Sequence, residues 1–228
     1  AVSTLPSTTF AMERVSDILV VMMELLLATN NPHKKREFER IFGNCRLLLP
    51  ADIDIDFSHE ETEDSFLGNA MGKAGTLCKM LPEEYRRRDR NPESAPFAVI
   101  ADDSGICVDA LDGRPGVYSA RYGSESISDG ERNALLLEEM KGVERRGAHY
   151  VCCMVAILGT DHFGVAQETW HGEIAQAPSE ETGGFGYDPI FSLPDRGLTV
   201  ADIDDAEKDA ISHRGKASRR IRRYLNPS

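Results

Sequence analysis

Two adjacent carboxylates, Asp102 and Asp103, directly follow an apolar stretch and are the residues whose types first suggest chemistry. Like charges side by side repel each other, and the end of a strand gives them little burial or pairing. A divalent cation resolves this conflict, because Mg²⁺ prefers a few carboxylates, retained water and phosphate oxygens as ligands. Asp102, Asp103 and an acid of the run Glu60-Glu61 therefore form a candidate magnesium site. A solvated acidic turn explains the pair equally well, since aspartate is common in turns.

Two lysines stand where they could neutralise phosphate charge. Asn31 suits the cap of a helix and Pro32 its first position, so the helix N-terminus should present Lys34 and free backbone N–H groups to an anion. Lys73 lies on or beside the apolar stripe of a second helix that begins near Ser65. Taken alone, Lys73 is better explained by a structural salt bridge or by a stem that carries its charge to solvent.

An aromatic ring and further donors lie towards the C-terminus. Phe185 stands in a glycine-rich segment, where its face could stack on a purine. Lys208, His213 and Arg214 add donors that suit ring carbonyls or phosphates. Cations, an acid pair and an aromatic face together are what the cleavage of a nucleoside triphosphate requires.

The apolar pattern predicts the elements that must position these residues. In chain order they are a strand over 24–29, a helix from 32 to about 42, a helix from 65, a strand over 97–101 that ends at the acid pair, extended chain over 106–111, a helix over 129–140, a hairpin of 150–158 with 163–174, and a closing helix from about 212. Strands and helices do not alternate strictly. We therefore expect an α/β fold, a mixed sheet with flanking helices and two lobes around a cleft.

Composition narrows the class of protein. The 228 residues, 41% hydrophobic and 28% charged, can bury one sizeable core or divide into two lobes. A net charge of -12 argues against nucleic-acid binding, which depends on lysine and arginine. The five cysteines include no CxxC pair, which argues against a disulfide framework or a zinc site and favours a reducing, cytoplasmic location.

The first 24 residues are interpreted as an N-terminal extension, poorly ordered in its first part. The apolar run 18–23 is too short to span a membrane, and acidic residues on both sides argue against a signal peptide. Residues 25–228 are expected to form a single domain of two lobes.

Six segments then carry a family resemblance. They are ATNN (28–31) with Lys34, FLGNA (66–70) with Lys73, ADDSG (101–105), PGVYSAR (115–121), GGFGYDP (183–189), and Lys208 with ISHRG (211–215). Their order along nearly the whole chain from residue 25 resembles the inosine/xanthosine triphosphate pyrophosphatases, a Ham1-like family of house-cleaning nucleotide hydrolases. Many relatives have glutamate where this chain has Gly68, which puts any role of that position in doubt.

The resemblance implies an elongated α/β fold with a mixed sheet and two lobes around a central nucleotide-binding cleft. It also implies a Mg²⁺-dependent homodimer that hydrolyses ITP, dITP and XTP to the monophosphate and pyrophosphate. It implies that Asp103 is the general base and a metal ligand, with Glu61 and Asp102 as further metal ligands. The phosphate contacts carried over by position are Thr29, Asn31, Lys34 and Lys73. The remaining substrate-binding residues are Asn30, Ser104, Phe185 with Gly186, Tyr187 and Asp188 beside it, and Lys208, His213 and Arg214, which would read the base.

Two other functions stay open at this point. A related enzyme would hydrolyse other modified nucleoside triphosphates, such as altered pyrimidine nucleotides. A non-catalytic nucleotide sensor would keep the aromatic ring and the lysines but would not need a water-activating base such as Asp103.

Overall fold

A computed structural model describes residues 23–87, 96–159, 162–181 and 183–225. Most of the N-terminal extension, residues 1–22, lies outside these ranges, so its predicted disorder stays a prediction. Met23 is buried in the core, and the first strand begins at Glu24, close to the predicted start of the domain.

One mixed sheet organises the described part of the chain. Its strands are β1 (Glu24–Leu27), β2 (Arg46–Leu48), β3 (Phe97–Val108), β4 (Gly147–Leu158), β5 (His162–Ile174), β6 (Phe191–Leu193) and β7 (Leu198–Thr199). The strand order is β2-β1-β3-β4-β5-β6-β7, with β1 parallel to β2 and β3 and every other pairing antiparallel. The mixed sheet is therefore confirmed, whereas the arrangement in two lobes stays a prediction.

Helices cover both faces of this sheet. They are α1 (Pro32–Ile41), α2 (Phe66–Met80), α3 (Glu83–Arg86), α4 (Asp129–Glu139), α5 (Asp205–Ile211) and α6 (His213–Leu225). One face packs on α1 and α6 through Phe38 and Ile221, and the opposite face packs on α2 through Ala70, Ala74 and Leu77. None of the helices in the described ranges is long and apolar enough to cross a lipid bilayer.

The predicted end of a strand at the acid pair is wrong. β3 continues through Asp102 and Asp103 to Val108, because the long strand β4 pairs with it from Val99 to Val108, with Asp102 opposite Met154. Successive side chains of a strand point to opposite faces of a sheet. The two carboxylates therefore lie on different faces, Asp102 towards α1 and α6 and Asp103 towards α2.

The predicted cap of α1 is confirmed, and α2 begins next to Ser65 as predicted. Asn31 caps α1, with its side chain accepting hydrogen bonds from the backbone N–H groups of His33 and Lys34, and Pro32 opens the helix. Ser65 caps α2 in the same way through the N–H of Gly68. Residues 109–111, predicted to be extended, instead form a 3₁₀ turn after β3.

Candidate active site

A cleft of about 590 Å³ opens between the end of β1, the N-terminal half of α2, the middle of β3 and the start of α6. Every predicted site residue except Asp102 lines this cleft. The predicted residues that line it are Thr29, Asn30, Asn31, Lys34, Glu61, Lys73, Asp103, Ser104, Phe185, Gly186, Tyr187, Asp188, Lys208, His213 and Arg214.

The segment at the end of β1 is shaped by its own side chains. The Thr29 hydroxyl accepts a hydrogen bond from the Asn31 N–H at 3.1 Å, and the Asn30 amide donates to the Phe57 carbonyl at 2.8 Å. The Asn31 side chain takes up the N–H groups of His33 and Lys34. These two donors, expected to be free for an anion, are therefore already satisfied by the cap.

Asp102 lies behind the cleft wall in a set of ion pairs. Its Oδ1 accepts from Lys34 Nζ at 3.0 Å, and its Oδ2 lies 3.3 Å from Arg214 Nη2. Burial alone would raise the pKa of Asp102, but the charges of Lys34 and Arg214 outweigh it and hold the pKa well below its usual value. Asp102 is thus a charged structural anchor for two cations, and its position does not support the expected metal ligation.

Asp103 faces the cleft beside a second carboxylate. Asn69 donates to its Oδ2 at 3.1 Å, and Lys73 Nζ lies 3.6 Å from Oδ1. Lys73 also donates to Glu61 at 2.6 Å, so both carboxylates approach one ammonium group. Burial raises the pKa of Asp103, and the charge of Glu61 adds to this, while Lys73 opposes it. A carboxylate whose pKa is raised is better suited to accept a proton.

The same pair of carboxylates suits a hard divalent cation. Glu61 and Asp103 both approach Lys73, whose ammonium group partly balances their negative charge. No group of three acidic, histidine or cysteine side chains forms a complete cation cage within the described residues. Mg²⁺ is commonly held by one or two carboxylates together with water and substrate phosphates, so the donor set fits that ion.

The glycine-rich segment presents Phe185 to the cleft from the other side. Gly184 and Gly186 adopt φ values of 72° and 63°, a conformation that side chains disfavour. Lys208 Nζ lies 4.6 Å from the centre of the Phe185 ring. The backbone N–H of Phe185 donates to Asp188 at 2.8 Å. Asp188 therefore fixes the loop beneath the ring.

Tyr187 and Gly186 use polar groups to hold the shape of the loop, so these groups are not free to bind a nucleotide. The Tyr187 hydroxyl donates to the Ser119 carbonyl at 2.8 Å. The Gly186 N–H donates to Asp129 at 2.9 Å, so that donor is not free for a nucleotide.

A buried network of ion pairs joins the helices around the site, and we call it the Arg214 network. Its members are Lys34, Glu37, Asp102, Asp188, Lys208 and Arg214. Lys208 bridges Asp188 at 2.7 Å and Glu37 at 3.0 Å, and Arg214 bridges Glu37 and Asp102. Arg214 also donates to the Ser104 hydroxyl at 2.7 Å. Lys208 and Arg214, which were expected to contact the base, donate most of their hydrogen bonds to residues of this network.

His213 differs from its two basic neighbours. Its ring stacks on Tyr150, with centroids 4.6 Å apart and planes 4° from parallel, and its Nδ1 has no hydrogen-bond partner within the described structure. Burial, with the charges of Arg214 and Lys208, lowers the pKa of His213 well below its usual value. The side chain is therefore a neutral imidazole at the wall of the cleft.

Sequence reasoning missed three residues that hold this site together. Glu37 pairs with both Lys208 and Arg214, and Asn69 orients Asp103. Arg121 donates to the Glu61 carbonyl at 3.0 Å and so fixes the segment that carries Glu61. Asn69 and Arg121 stand in two of the six motifs but were given no role, and Glu37 could have been noticed as an acid next to Phe38 on the buried side of α1.

Comparisons with known proteins identify the family of the chain. A sequence model described as Ham1 family matches residues 25–224. A dITP/XTP pyrophosphatase of Treponema denticola is 43% identical over 209 residues, which cover 90% of this chain and 100% of that protein. One of Geobacillus kaustophilus is 42% identical and covers 86% of this chain and 91% of its own. The solved Ham1 protein of Staphylococcus aureus is 36% identical, with a TM-score of 0.75 over 90% of this chain and 98% of its own.

Proposed function

The chain belongs to the Ham1 family, and from this premise we propose that it hydrolyses non-standard purine nucleoside triphosphates such as ITP, dITP and XTP to the monophosphate and pyrophosphate. Such an enzyme removes these nucleotides from the cellular pool. The observation that carries the proposal is one cleft that places the Asp103 carboxylate beside Lys73 on one side and the Phe185 ring on the other.

Asp103 acts as the general base. Its carboxylate takes a proton from a water molecule whose oxygen forms a bond to the α-phosphorus. The bond between the α-phosphorus and the bridging oxygen breaks, and pyrophosphate leaves with the electron pair. Asn69 donates to Oδ2 and the Ser104 N–H donates to Oδ1, which fixes the carboxylate with Oδ1 towards Lys73. Fixed orientation of this kind is how a positioned base contributes to catalysis.

Positive charge near the phosphates supports this step. Lys73 is held in the cleft by Glu61 and Asp103, where it can neutralise charge that develops on the phosphate oxygens. Glu61 and Asp103 would hold Mg²⁺, which when bound supplies charge neutralisation and fixes the triphosphate. Arg121 keeps the Glu61 segment in place for this role.

The base is bound at the other end of the cleft. The Phe185 ring offers a face for stacking, and the neutral His213, at the wall of the cleft, has a buried Nδ1 with no hydrogen-bond partner among the described residues. A donor directed at the 6-oxo group would favour hypoxanthine and xanthine over adenine, whose amino group opposes it. Arg214 was expected to supply that donor. Because it is engaged with Glu37, Asp102 and Ser104, we assign the reading of the base to His213 instead.

Two features of the wider protein belong to the same proposal. The chain works as a homodimer, which is supported by Phe163 and Val165, two apolar side chains of β5 that are 57% and 45% exposed. It works in the cytoplasm, where its nucleotide substrates are found. Light scattering of the purified protein would test the dimer, since a monomer at micromolar concentration would contradict it.

A panel of nucleoside triphosphates tests the function. We expect pyrophosphate release from ITP, dITP and XTP to exceed that from ATP, GTP and modified pyrimidine triphosphates, and to stop when Mg²⁺ is removed by a chelator. Equal rates on the standard nucleotides would contradict the substrate class. Binding of ITP without turnover under every metal condition would identify a nucleotide sensor instead of an enzyme.

A further inference from the structure

The backbone around Phe185 is held in place by two side chains that lie on the first turns of α4. The Gly186 N–H donates to Asp129 Oδ2 at 2.9 Å, and Asn133 Nδ2 donates to the Gly186 carbonyl at 3.0 Å. Both polar groups of one glycine are thus bound by residues more than fifty positions earlier in the chain. A glycine has no side chain to pack, so hydrogen bonds are what fix its position.

The two side chains that form this clamp are themselves fixed. Arg132 donates to Asp129 at 3.1 Å and also to the carbonyls of Ser124 and Ile127, so the Asp129 carboxylate is held by a buried guanidinium. Asn133 is 5% exposed and has little room to rotate. The N-terminus of α4 is therefore a rigid support for the loop.

On the inner side of the loop, Asp188 holds the neighbouring peptide. It accepts the Phe185 N–H at 2.8 Å and is bound in turn by Lys208 at 2.7 Å. The stretch from Phe185 to Gly186 is thus held from the α4 side and from the buried side at once. Without the hydrogen bonds from Asp129 and Asn133, Gly186, with its φ of 63°, would be free to change conformation. The Phe185 ring next to it would then move as well.

We propose that Asp129 and Asn133 are positioning residues that set the Phe185 ring for stacking on the purine base. This inference rests on the proposed function, because it assumes that Phe185 contacts the base. It makes α4 a determinant of base affinity, while the phosphate end of the cleft, with Asp103 and Lys73, is set separately by α2 and β3. Disturbing the clamp should therefore weaken binding of the base and leave binding of the phosphates unchanged.

The test compares Asp129→Ala with Asp129→Asn. Alanine removes the acceptor for the Gly186 N–H, whereas asparagine can keep an oxygen towards Gly186 and loses only the acceptor for Arg132. Asp129 is more than half exposed in its side chain, so both variants should fold. Glu138→Ala is the matched control, because Glu138 is an exposed acid of the same helix whose partner is Lys141. Asn133→Ala removes the second contact as an independent check.

Steady-state kinetics and calorimetry with two probes supply the readout. We expect Asp129→Ala to raise KM for ITP about threefold to tenfold, the range that corresponds to one lost hydrogen bond, with kcat changed far less. The Kd of inosine monophosphate should rise with KM, while the Kd of inorganic triphosphate, which has no base, should stay at the wild-type value. Glu138→Ala should match the wild type, and Asn133→Ala should resemble Asp129→Ala. Asp129→Asn, which can still accept from Gly186 but not from Arg132, should be impaired less than Asp129→Ala.

Three results would overturn the inference: an unchanged KM and inosine monophosphate affinity in Asp129→Ala, an equal loss of affinity for inosine monophosphate and triphosphate, or an Asp129→Asn variant as impaired as alanine. Failure of the proposed function would look different. In that case the wild type itself would not turn over ITP, and the comparison of the two Kd values would still decide whether the clamp positions a ring that binds a base.

Discussion

Replacing Glu37 with glutamine should destabilise the protein by about 3 kcal/mol, because it removes one charge from the balanced Arg214 network. Glu37 is 5% exposed and binds both Lys208 and Arg214. Losing one partner of a buried ion pair generally costs about 3–5 kcal/mol. The lower end applies here, since Lys208 keeps Asp188, Arg214 keeps Asp102, and glutamine retains one acceptor oxygen.

Urea and thermal denaturation measure this effect. For a chain of this size, a loss of about 3 kcal/mol lowers Tm by roughly 6–12 °C. Glu39→Gln is the matched control, because Glu39 lies on the same helix and makes an exposed pair with Lys35 at 3.5 Å. Such a pair contributes about 0.5 kcal/mol or less. A Glu37→Gln variant as stable as Glu39→Gln would refute the view that the network holds α1, α5 and α6 together.

Acid provides a second check on the same variant. Burial would raise the pKa of Glu37, but Arg214 and Lys208 outweigh it and lower the pKa in the folded protein. The charged form therefore stabilises the fold above the ordinary glutamate pKa, and this contribution is lost as pH falls through the lowered value. The stability gap between wild type and Glu37→Gln should be constant near neutral pH and shrink in acid. A gap that grows in acid would contradict the sign of this linkage.

Two further substitutions test the packing around the cleft. Gly105→Ala should lower the free energy of unfolding, measured with urea, by about 1–3 kcal/mol, because a Cβ there would overlap the Gly116 carbonyl oxygen and the Ser119 hydroxyl. The control Gly75→Ala on α2 places its Cβ in open space and should be neutral or slightly stabilising, so equal effects of the two would be inconsistent with this packing. Wild type should lose about 1.2 kcal/mol of stability between pH 7 and pH 5.5, because His213 stays neutral in the folded protein and takes up a proton near pH 6.5 in the unfolded chain. His213→Phe should not show this loss, and parallel stability curves for the two proteins over that range would show that His213 is protonated in the folded state as well.

The sequence was sufficient for those parts of the fold that depend on local signals. Asn31 and Pro32 mark the start of α1, and Ser65 marks the start of α2, because helix caps act within three or four residues. The segments that line the cleft could likewise be recognised one by one, because each one presents its polar side chains within a short stretch of chain.

What could not be predicted depends on contacts between distant parts of the chain. Whether β3 ends at Asp102 or continues is decided by its pairing with β4, about fifty residues later, and that pairing assigns the two aspartates to opposite faces. The contact of Arg214 with Glu37 joins residues 177 positions apart. No local pattern distinguishes an arginine free to bind a nucleotide from one that is already engaged by carboxylates.

The central claim is that the adjacent aspartates have different roles, with Asp103 as the base and Asp102 as an anchor for cations. The most direct measurement is the turnover of ITP by Asp103→Asn and Asp102→Asn, with Tm and ITP affinity recorded for both. We predict that Asp103→Asn lowers kcat by a factor of about 10²–10⁴ while it binds ITP and keeps its Tm, and that Asp102→Asn mainly lowers Tm. Near-normal turnover in Asp103→Asn would contradict the account.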